Sequence, residues 1–406
     1  MSSIAQATLR ANPEYELVLL DRLSAAERAL LEAGEECYGV LRPRSGTDLP
    51  LRTASPDTAL LFLTLGEPAG LPSYLRGHPG GHTDRALARL VVDGVLEIEH
   101  EGAFSSGAQA AEIVLRGRST GGRGRIGELS AAALRYGQVL AMHGLPEDAL
   151  ALRLYCYGRR PVSEAGAHRL GEVASLYALL GIDAGGAARP ALDSGWRPTP
   201  LKPGRENYWR SWQARRAPAA RRRDDAGYKL YVSPDVDALN TAFAAVAGSL
   251  ATARGVTAFK VGSDAHGLCR PDKLVVYFDR LDDLQAGAAT LRAELDGCPA
   301  HGIPFTAAVT ADGLLSWGAD PPALDDDATS WRLWVSQRLA EYLVLGDATR
   351  ADSGHGAQHA VGVAVDRASS DVEPWQFALE RLRLAGIDTD TWIPASGMWE
   401  EALASA

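Results

Sequence analysis

Three lysines in or beside strand-like apolar runs are the residues of this 406-residue chain best suited to chemistry. Lys229 and Lys260 each lie among apolar neighbours, and Lys273 begins a third run shortly after Arg270. A lysine within a core strand costs several kcal/mol to bury unless an anion pairs with it. Three cationic strands this close in sequence favour a shared anionic ligand, of which phosphate is the simplest.

The same runs also fit a simpler interpretation, which is the ordinary alternation of a half-buried strand. Lysines would then lie on the wet face of the sheet, and the apolar residues between them would lie on the core face. The core-face residues in this interpretation are Leu230, Val232, Phe259 and Val261.

Composition excludes several classes of protein. A hydrophobic content of 46% and a charged content of 23% are typical of soluble globular proteins, and the length predicts two or three domains. The net charge of -10 argues against broad nucleic-acid binding. The four cysteines lack metal or redox spacing, and no signal or membrane-spanning run is evident. These features predict a cytoplasmic protein without a membrane partner, and abundant Ala, Arg and Gly suggest a bacterial source.

The N-terminal region, residues 13–107, has the element order of a winged helix. Ser24 and Glu27 have the spacing of a helix capping box. The predicted elements are helices beginning near Ser24, Ser55 and Asp84, a strand at 38–42, and a hairpin that turns near Glu101 and Gly102.

The charges of this predicted winged helix disfavour DNA as its ligand. Its third helix offers Arg85 and Arg89, whereas the wing carries Glu97, Glu99 and Glu101. An extended peptide added to the sheet edge is a better fit. This element order resembles the leader-peptide recognition elements of pathways that modify ribosomally made peptides. The alternative is a domain that only packs or dimerises.

Two further regions complete the predicted organisation. Residues 128–226 are predicted to be mostly helical, with a strand at 150–161 and a basic, Pro- and Trp-rich linker at 187–223. Residues 227–406 alternate strands and helices, which predicts an α+β domain with a central mixed or antiparallel sheet that contains the cationic strands.

The C-terminal region resembles the phosphothreonine lyase family over roughly residues 227–318. The resemblance is carried by KLYVSP (229–234), FKV (259–261) and RPDKLVVYF (270–278). That family includes effectors of enteric pathogens, lyase domains of class III lanthipeptide synthetases and stand-alone, effector-like lyases of class V lanthipeptide and thioamitide pathways. The lone lyase-like region here, without kinase motifs, is similar to the stand-alone type.

The resemblance implies roles for the cations. Lys260 lies where the family places the base that removes the α-proton, and a desolvated lysine can have its pKa lowered enough for this. Arg270 and Lys273 match the positions that bind the leaving phosphate, and Lys229 is expected to join them. Neither a cofactor nor a metal is implied.

One position departs from the family pattern. Tyr231 replaces the histidine that protonates the leaving phosphate, and its reference pKa of about 10 makes it a weaker acid. His266 or His301 would substitute if the fold brings one of them near Lys260. Otherwise the site binds a phosphopeptide without eliminating its phosphate.

The sequence therefore predicts β-elimination of phosphate from phosphoserine or phosphothreonine in a ribosomal precursor peptide, which gives dehydroamino acids in lanthipeptide-type biosynthesis. The expected partners are the phosphorylated precursor with its leader, a separate kinase, a cyclase, and a second copy of the chain in a homodimer. The alternatives are a non-catalytic peptide-binding or scaffold protein and a winged-helix regulator.

Overall fold

The structure, a computed structural model, is an α+β protein in two compact units. The first unit comprises residues 1–119, 342–387 and 400–406, and the second comprises 120–341 and 388–399. The residues described are 4–24, 27–28, 37–44, 47, 49–72, 81–114, 121–170, 172–200, 208–216, 227–321, 329–355 and 373–394. No helix in these ranges is both long enough and apolar enough to span a membrane.

The first unit has the strand, the hairpin and the helices after Ser55 and near Asp84 that the sequence predicts for region 13–107, whereas most of the helix predicted after Ser24 lies outside the described residues. Ser24 and Glu27 form the expected capping box, with Glu27 N donating to Ser24 Oγ at 3.2 Å. Ser55 Oγ accepts from Thr58 N at the start of the second helix. The N-terminal elements are β1 (Leu9–Ala11), β2 (Tyr15–Leu19), β3 (Gly39–Pro43), β4 (Arg52–Ala54), α1 (Pro56–Thr64), α2 (Gly81–Val92), β5 (Leu96–His100), β6 (Ala103–Ser105) and α3 (Gly107–Val114).

The pairing of these strands differs from the simplest winged-helix arrangement. The hairpin β5–β6, which turns at Glu101 and Gly102 with positive φ at both, pairs with β1. The predicted strand at 38–42 is β3, which pairs with β2 and β4 in a separate sheet. The winged-helix interpretation stays a prediction.

Helices precede the large sheet in the second unit, as the sequence predicts, but two assignments were wrong. Residues 150–161 were expected to form a strand. Residues 150–155 instead belong to helix α5 (Glu147–Tyr155), whose buried residues Leu150, Ala151 and Leu154 lie at helical spacing. The region expected to be only a linker supplies two strands, β7 and β8. The elements are α4 (Gly124–Met142), α5 (Glu147–Tyr155), α6 (Glu164–Arg169), α7 (Val173–Leu180), α8 (Arg189–Gly195), β7 (Trp196–Pro198) and β8 (Trp209–Ala214).

The cationic strands lie in the middle of one antiparallel sheet, as the sequence predicts. Among the described residues this sheet has seven strands in the order β12-β13-β9-β11-β10-β8-β7. Its remaining elements and the helices around them are β9 (Gly227–Val232), α9 (Leu239–Ser249), β10 (Val256–Gly262), α10 (Ala265–Leu268), β11 (Leu274–Phe278), α11 (Leu281–Glu294), β12 (Ala307–Ala308), β13 (Leu315–Asp320) and α12 (Trp331–His355).

The core of the second unit lies on one face of this sheet. Phe259 is fully buried, with its ring 4.6 Å from Trp196, 5.0 Å from Trp212 and 5.6 Å from Phe243, centroid to centroid. Helix α9 supplies Phe243, and the two tryptophans come from β7 and β8. Two tryptophans of the predicted linker, Trp196 and Trp212, therefore belong to the core.

The first unit also contains helix α13 (Pro374–Leu384). Arg381 of this helix is buried and binds Asp93 through two hydrogen bonds, from Nε at 2.7 Å and from Nη2 at 2.8 Å. A bidentate pair of this kind fixes orientation as well as distance. It joins segments of the first unit that lie far apart in sequence. Short strands β14 (Ile387–Asp388) and β15 (Ile393–Pro394) follow.

Candidate active site

Strand register places the two strand lysines on the same face of the large sheet. Lys260 pairs with Val275, Val275 pairs with Tyr231, and Lys229 pairs with Tyr277. Because directly opposed residues and residues two apart share a face, all five side chains share one face. The apolar residues between them form the core on the opposite face, as the alternation predicts.

Lys260 lies in an aromatic and cationic environment on this face. Its Nζ is 4.3 Å from the ring centroid of Trp209 and 5.5 Å from that of Tyr277. Burial, together with the nearby positive charges of Lys229 and Arg270, lowers the pKa of Lys260 to about 8. A large fraction of this amine is therefore neutral near pH 8 and able to accept a proton.

Lys229 is held at the edge of this cluster by Asp320. Its Nζ lies 2.5 Å from Asp320 Oδ2, and Asp320 Oδ1 accepts from the backbone N–H of Trp331 at 2.8 Å. Asp320 therefore binds the lysine and caps the first turn of α12. Gly318, the strand partner of Lys229, lets Trp331 of α12 pack directly against β13. Any side chain at position 318 would collide with the Trp331 ring.

A buried carboxylate, Asp272, gathers two arginines next to Lys260. Arg270 donates to it from Nε at 2.8 Å and from Nη2 at 2.9 Å, and Arg332 Nη1 lies 2.8 Å from Oδ2. Burial alone would raise the pKa of Asp272, but the Arg332 charge and the Arg270 hydrogen bonds outweigh it and hold that pKa well below its ordinary value. Asp272 is therefore ionised throughout the physiological pH range.

Tyr155 at the end of α5 forms the wall behind these arginines. Its ring centroid is 5.3 Å from Arg270 Cζ and 4.9 Å from Arg332 Cζ, and its hydroxyl accepts from Arg270 Nη2 at 2.9 Å. Burial and the Asp272 charge raise the pKa of Tyr155, so the hydroxyl keeps its proton. This wall restricts the orientations open to both guanidinium groups.

Arg332 is a site residue that the sequence interpretation missed. It is 1% exposed, and its Nη2 donates to the Tyr155 carbonyl at 2.7 Å. Its Nε is buried without a hydrogen-bond partner among the residues described. A buried donor without a partner is costly, so this nitrogen is well suited to bind an anion. The available signal was a charge inside the apolar helical stripe that begins at Trp331.

Lys273 does not join the cluster of Lys229, Lys260 and Arg270, because it binds other residues. Its ammonium donates to the Pro234 carbonyl at 2.7 Å and to His301 Nδ1 at 3.0 Å, and His301 Nε2 donates to the Gly158 carbonyl at 2.7 Å. Burial and the Arg160 charge lower the pKa of Lys273 to about 7. The structure therefore brings together Lys260, Lys229 and Arg270 but not Lys273, and it commits His301 to a structural chain of hydrogen bonds.

The two candidate acids take different positions. Tyr231 shares a face with Lys260 but is only 3% exposed, and it packs against Val275 and Ile303. Burial and the Asp320 charge raise its pKa well above the ordinary value for tyrosine. His266 is exposed on the short helix α10. The role of either residue as the acid stays a prediction.

Within the described ranges, no group of three or more His, Cys, Asp or Glu side chains has the geometry to hold a metal ion. This face contains Lys260, whose amine can be neutral near pH 8. It also contains two arginines bound to Asp272, and Lys229 bound to Asp320. This arrangement can bind a doubly charged oxyanion and accept a proton beside it.

Comparison with solved structures finds likeness at low identity. No protein-family model and no curated protein matches the chain. The chain is similar to the effector protein of Pseudomonas syringae pv. syringae strain 61, at 13% identity and a TM-score of 0.39, over 66% of this chain and 98% of that one. It is also similar to the effector of Pseudomonas syringae pv. tomato strain DC3000, at 12% identity and a TM-score of 0.39, over 66% and 97%.

A third likeness is to the phosphothreonine lyase effector of Chromobacterium violaceum, at 14% identity and a TM-score of 0.27, over 46% of this chain and 86% of that one. These likenesses are low in identity and in TM-score, so no function is transferred from them. The chemistry depends on the residues of the site.

Replacing Asp272 with asparagine should lower the free energy of unfolding by about 3–5 kcal/mol, because two arginines would lose their buried carboxylate. Urea denaturation followed by tryptophan fluorescence measures the change. Asp193→Asn is the matched control, since Asp193 pairs with Arg189 at 2.8 Å on the surface, where such pairs contribute about 1 kcal/mol or less. Equal, small effects of both substitutions would show that Asp272 does not organise the cluster.

Proposed function

We propose that this chain removes phosphate from phosphothreonine or phosphoserine of a ribosomal precursor peptide by β-elimination. The product is dehydrobutyrine or dehydroalanine in a lanthipeptide-type pathway. The observation that carries the proposal is the position of Lys260, a base with a lowered pKa, beside two arginines that one carboxylate fixes. The sequence resemblance of residues 227–318 to phosphothreonine lyases supports the same reaction.

The proposed step balances without a cofactor. Lys260 Nζ takes the α-proton, and the electrons of the Cα–H bond form the Cα=Cβ double bond. The Cβ–O bond breaks, and its electrons leave with the phosphate oxygen. Inorganic phosphate and the protonated lysine result, and the lysine then returns its proton to solvent.

The phosphate is bound in this proposal by Arg270, Arg332 and Lys229. The unpartnered Nε of Arg332 supplies a donor for a phosphate oxygen. Arg270 supplies its Nη1, since Asp272 holds its Nε and Nη2. These cations stabilise the negative charge that grows on the leaving oxygen. Arg332 thereby takes the phosphate-binding role that the sequence assigned to Lys273. Tyr231 remains the proposed proton donor to the leaving group, and its phenolate regains a proton from the protonated Lys260 or from solvent.

Incubation with a phosphothreonine peptide should release phosphate and leave a product lighter by one phosphoric acid, which mass spectrometry separates from the smaller loss of a phosphatase. Lys260→Ala should abolish the reaction. Lys260→Arg is the informative companion, because it keeps a cation in the cluster but cannot become neutral. If the arginine variant retains wild-type turnover, Lys260 serves only as a cation and is not the base.

The dependence of kcat/KM on pH should report Lys260. Only the neutral amine accepts a proton, so the rate should rise about tenfold per pH unit below about pH 8 and level off above it. The substrate phosphate titrates near pH 6, about two units lower, and does not mask this limb. A profile that is flat from pH 7 to 9, or that keeps rising to pH 10.5, the ordinary pKa of lysine, would contradict the assignment.

In the same proposal, a separate kinase supplies the phosphorylated precursor, and the first unit binds the leader. Strand β6 lies at an edge of the sheet β1-β5-β6, where an extended peptide can pair. Glu97 is neutralised by Arg10 at 2.5 Å, which leaves exposed Glu99 and Glu101 to attract a basic leader.

The double variant Glu99→Lys/Glu101→Lys should bind a precursor with a basic leader roughly tenfold more weakly. Each substitution turns an attraction to the leader into a repulsion. Added salt should weaken wild-type binding in the same direction. Glu67→Lys, at an exposed position elsewhere in the first unit, is the control for the effect of added positive charge alone. Unchanged affinity in the double variant would make the first unit a structural or dimerising module.

A further inference from the structure

A second candidate binding site lies in the second unit, at the end of the sheet farthest from β12. It is a groove of about 410 Å³ bounded by α7 and α8 on one side and by β7 and β8 on the other. A volume of this size lies within the range of ordinary ligand sites. Nothing in the proposed elimination uses this groove.

The charges that line the groove favour an anion. Arg189, Arg210 and Arg215 line it, against one acidic side chain, Asp193. Arg189 Nε is hydrogen-bonded to Asp193 at 2.8 Å, so this pair is neutral as a whole. Two arginines then remain in excess, in a chain whose net charge is -10.

Arg210 adds an independent sign of a ligand. Its Nε is buried and has no hydrogen-bond partner within the described part of the chain. Since buried donors are nearly always satisfied, this nitrogen is suited to an acceptor that a ligand would bring. Arg215 is exposed and offers a planar fork of donors that matches a carboxylate.

The floor of the groove is apolar. Trp196 and Trp212 are buried beneath it, and the half-buried Tyr177 and the exposed Pro198 supply the apolar surface that a ligand meets. A simple inorganic anion would leave this surface wet. A ligand that combines carboxylates with apolar side chains satisfies both parts of the lining.

We infer that this groove binds an acidic, apolar segment of the precursor peptide, separate from the phosphorylated residue that enters the active site. The identity of the ligand as precursor rests on the proposed function, whereas the preference for an acidic, apolar peptide rests on the groove itself. Carboxylates pair with Arg210 and Arg215, and apolar side chains cover Tyr177 and Pro198. The interaction holds the substrate while its phosphorylated residues react in turn.

Strand β8 fixes the separation between the two sites. Trp209 lies on the face of Lys260, and Trp212 lies on the opposite face, three residues along the strand. A peptide that reaches both faces must pass around the edge strand β7, a path of about 20 Å or more across two strand spacings and one layer of packing. About six to eight extended residues span that distance.

Binding to the groove is tested without any phosphate. The probe is a fluorescein-labelled peptide of alternating Glu and Leu, and its affinity is measured by fluorescence anisotropy. Arg215→Glu and Arg210→Gln should each weaken it by about tenfold, whereas the exposed control Arg292→Glu on α11 should not. Equal affinity for all four proteins would overturn the proposal, and so would equal affinity for a peptide with Ser in place of Leu, which would reveal only a general anion site.

A linked substrate tests the geometry. A phosphothreonine peptide carrying the Glu–Leu segment after an eight-residue Gly-Ser spacer should have a KM several-fold lower than one with a two-residue spacer, on at least one side of the phosphothreonine. Arg215→Glu should remove this advantage and leave kcat for a short phosphopeptide unchanged. No dependence on spacer length would refute simultaneous occupancy. Probe binding without any elimination would instead disprove the proposed reaction and leave the groove intact.

Discussion

The arrangement of the site depends on one buried anion, Asp272. A carboxylate in a protein interior is stable only when its charge is compensated, and here Arg270 and Arg332 compensate it. The two arginines come from a loop before β11 and from the first turn of α12, so the requirement to neutralise Asp272 connects these elements. Tyr155 on α5 is drawn into the same contact through the Arg270 hydrogen bond.

The two-residue period of the strands divides the large sheet into two environments. On one face Phe259 and its aromatic neighbours form a dry core, and on the other Lys260 lies among charges. Both environments are made by adjacent residues of the same strand. A shift of the β10 register by one residue would exchange them and place the lysine in the core. Burial of the apolar face therefore also sets the direction of the reactive side chain.

Local rules explain what the sequence could predict. Strand alternation was enough to place Lys229 and Lys260 on one face, and the capping residue Ser55 begins a helix as expected. The proximity of Arg270 to Lys260 also followed, through the family resemblance.

Other features depend on contacts between segments that are distant in sequence. Arg332 joins the site through Asp272 and Tyr155, to which no local pattern connects it. Lys273 has the same sequence context as a site lysine, but His301 and the Pro234 carbonyl bind it instead. Strand β8 looked like a linker because its aromatic residues lie beside prolines and arginines, and only the sheet identifies Trp212 as a core residue.

In the proposed elimination, the ion pair between Lys229 and Asp320 affects the release of phosphate. When Lys260 is neutral, the face carries three cations, Lys229, Arg270 and Arg332, and two anions, Asp272 and Asp320. The empty site therefore has a small positive excess, and a phosphate dianion reverses its sign. A cluster of cations without carboxylates would retain inorganic phosphate after the peptide had left. In the proposed reaction, Lys229 pairs with Asp320 again when the phosphate leaves, and this pairing favours release of the product.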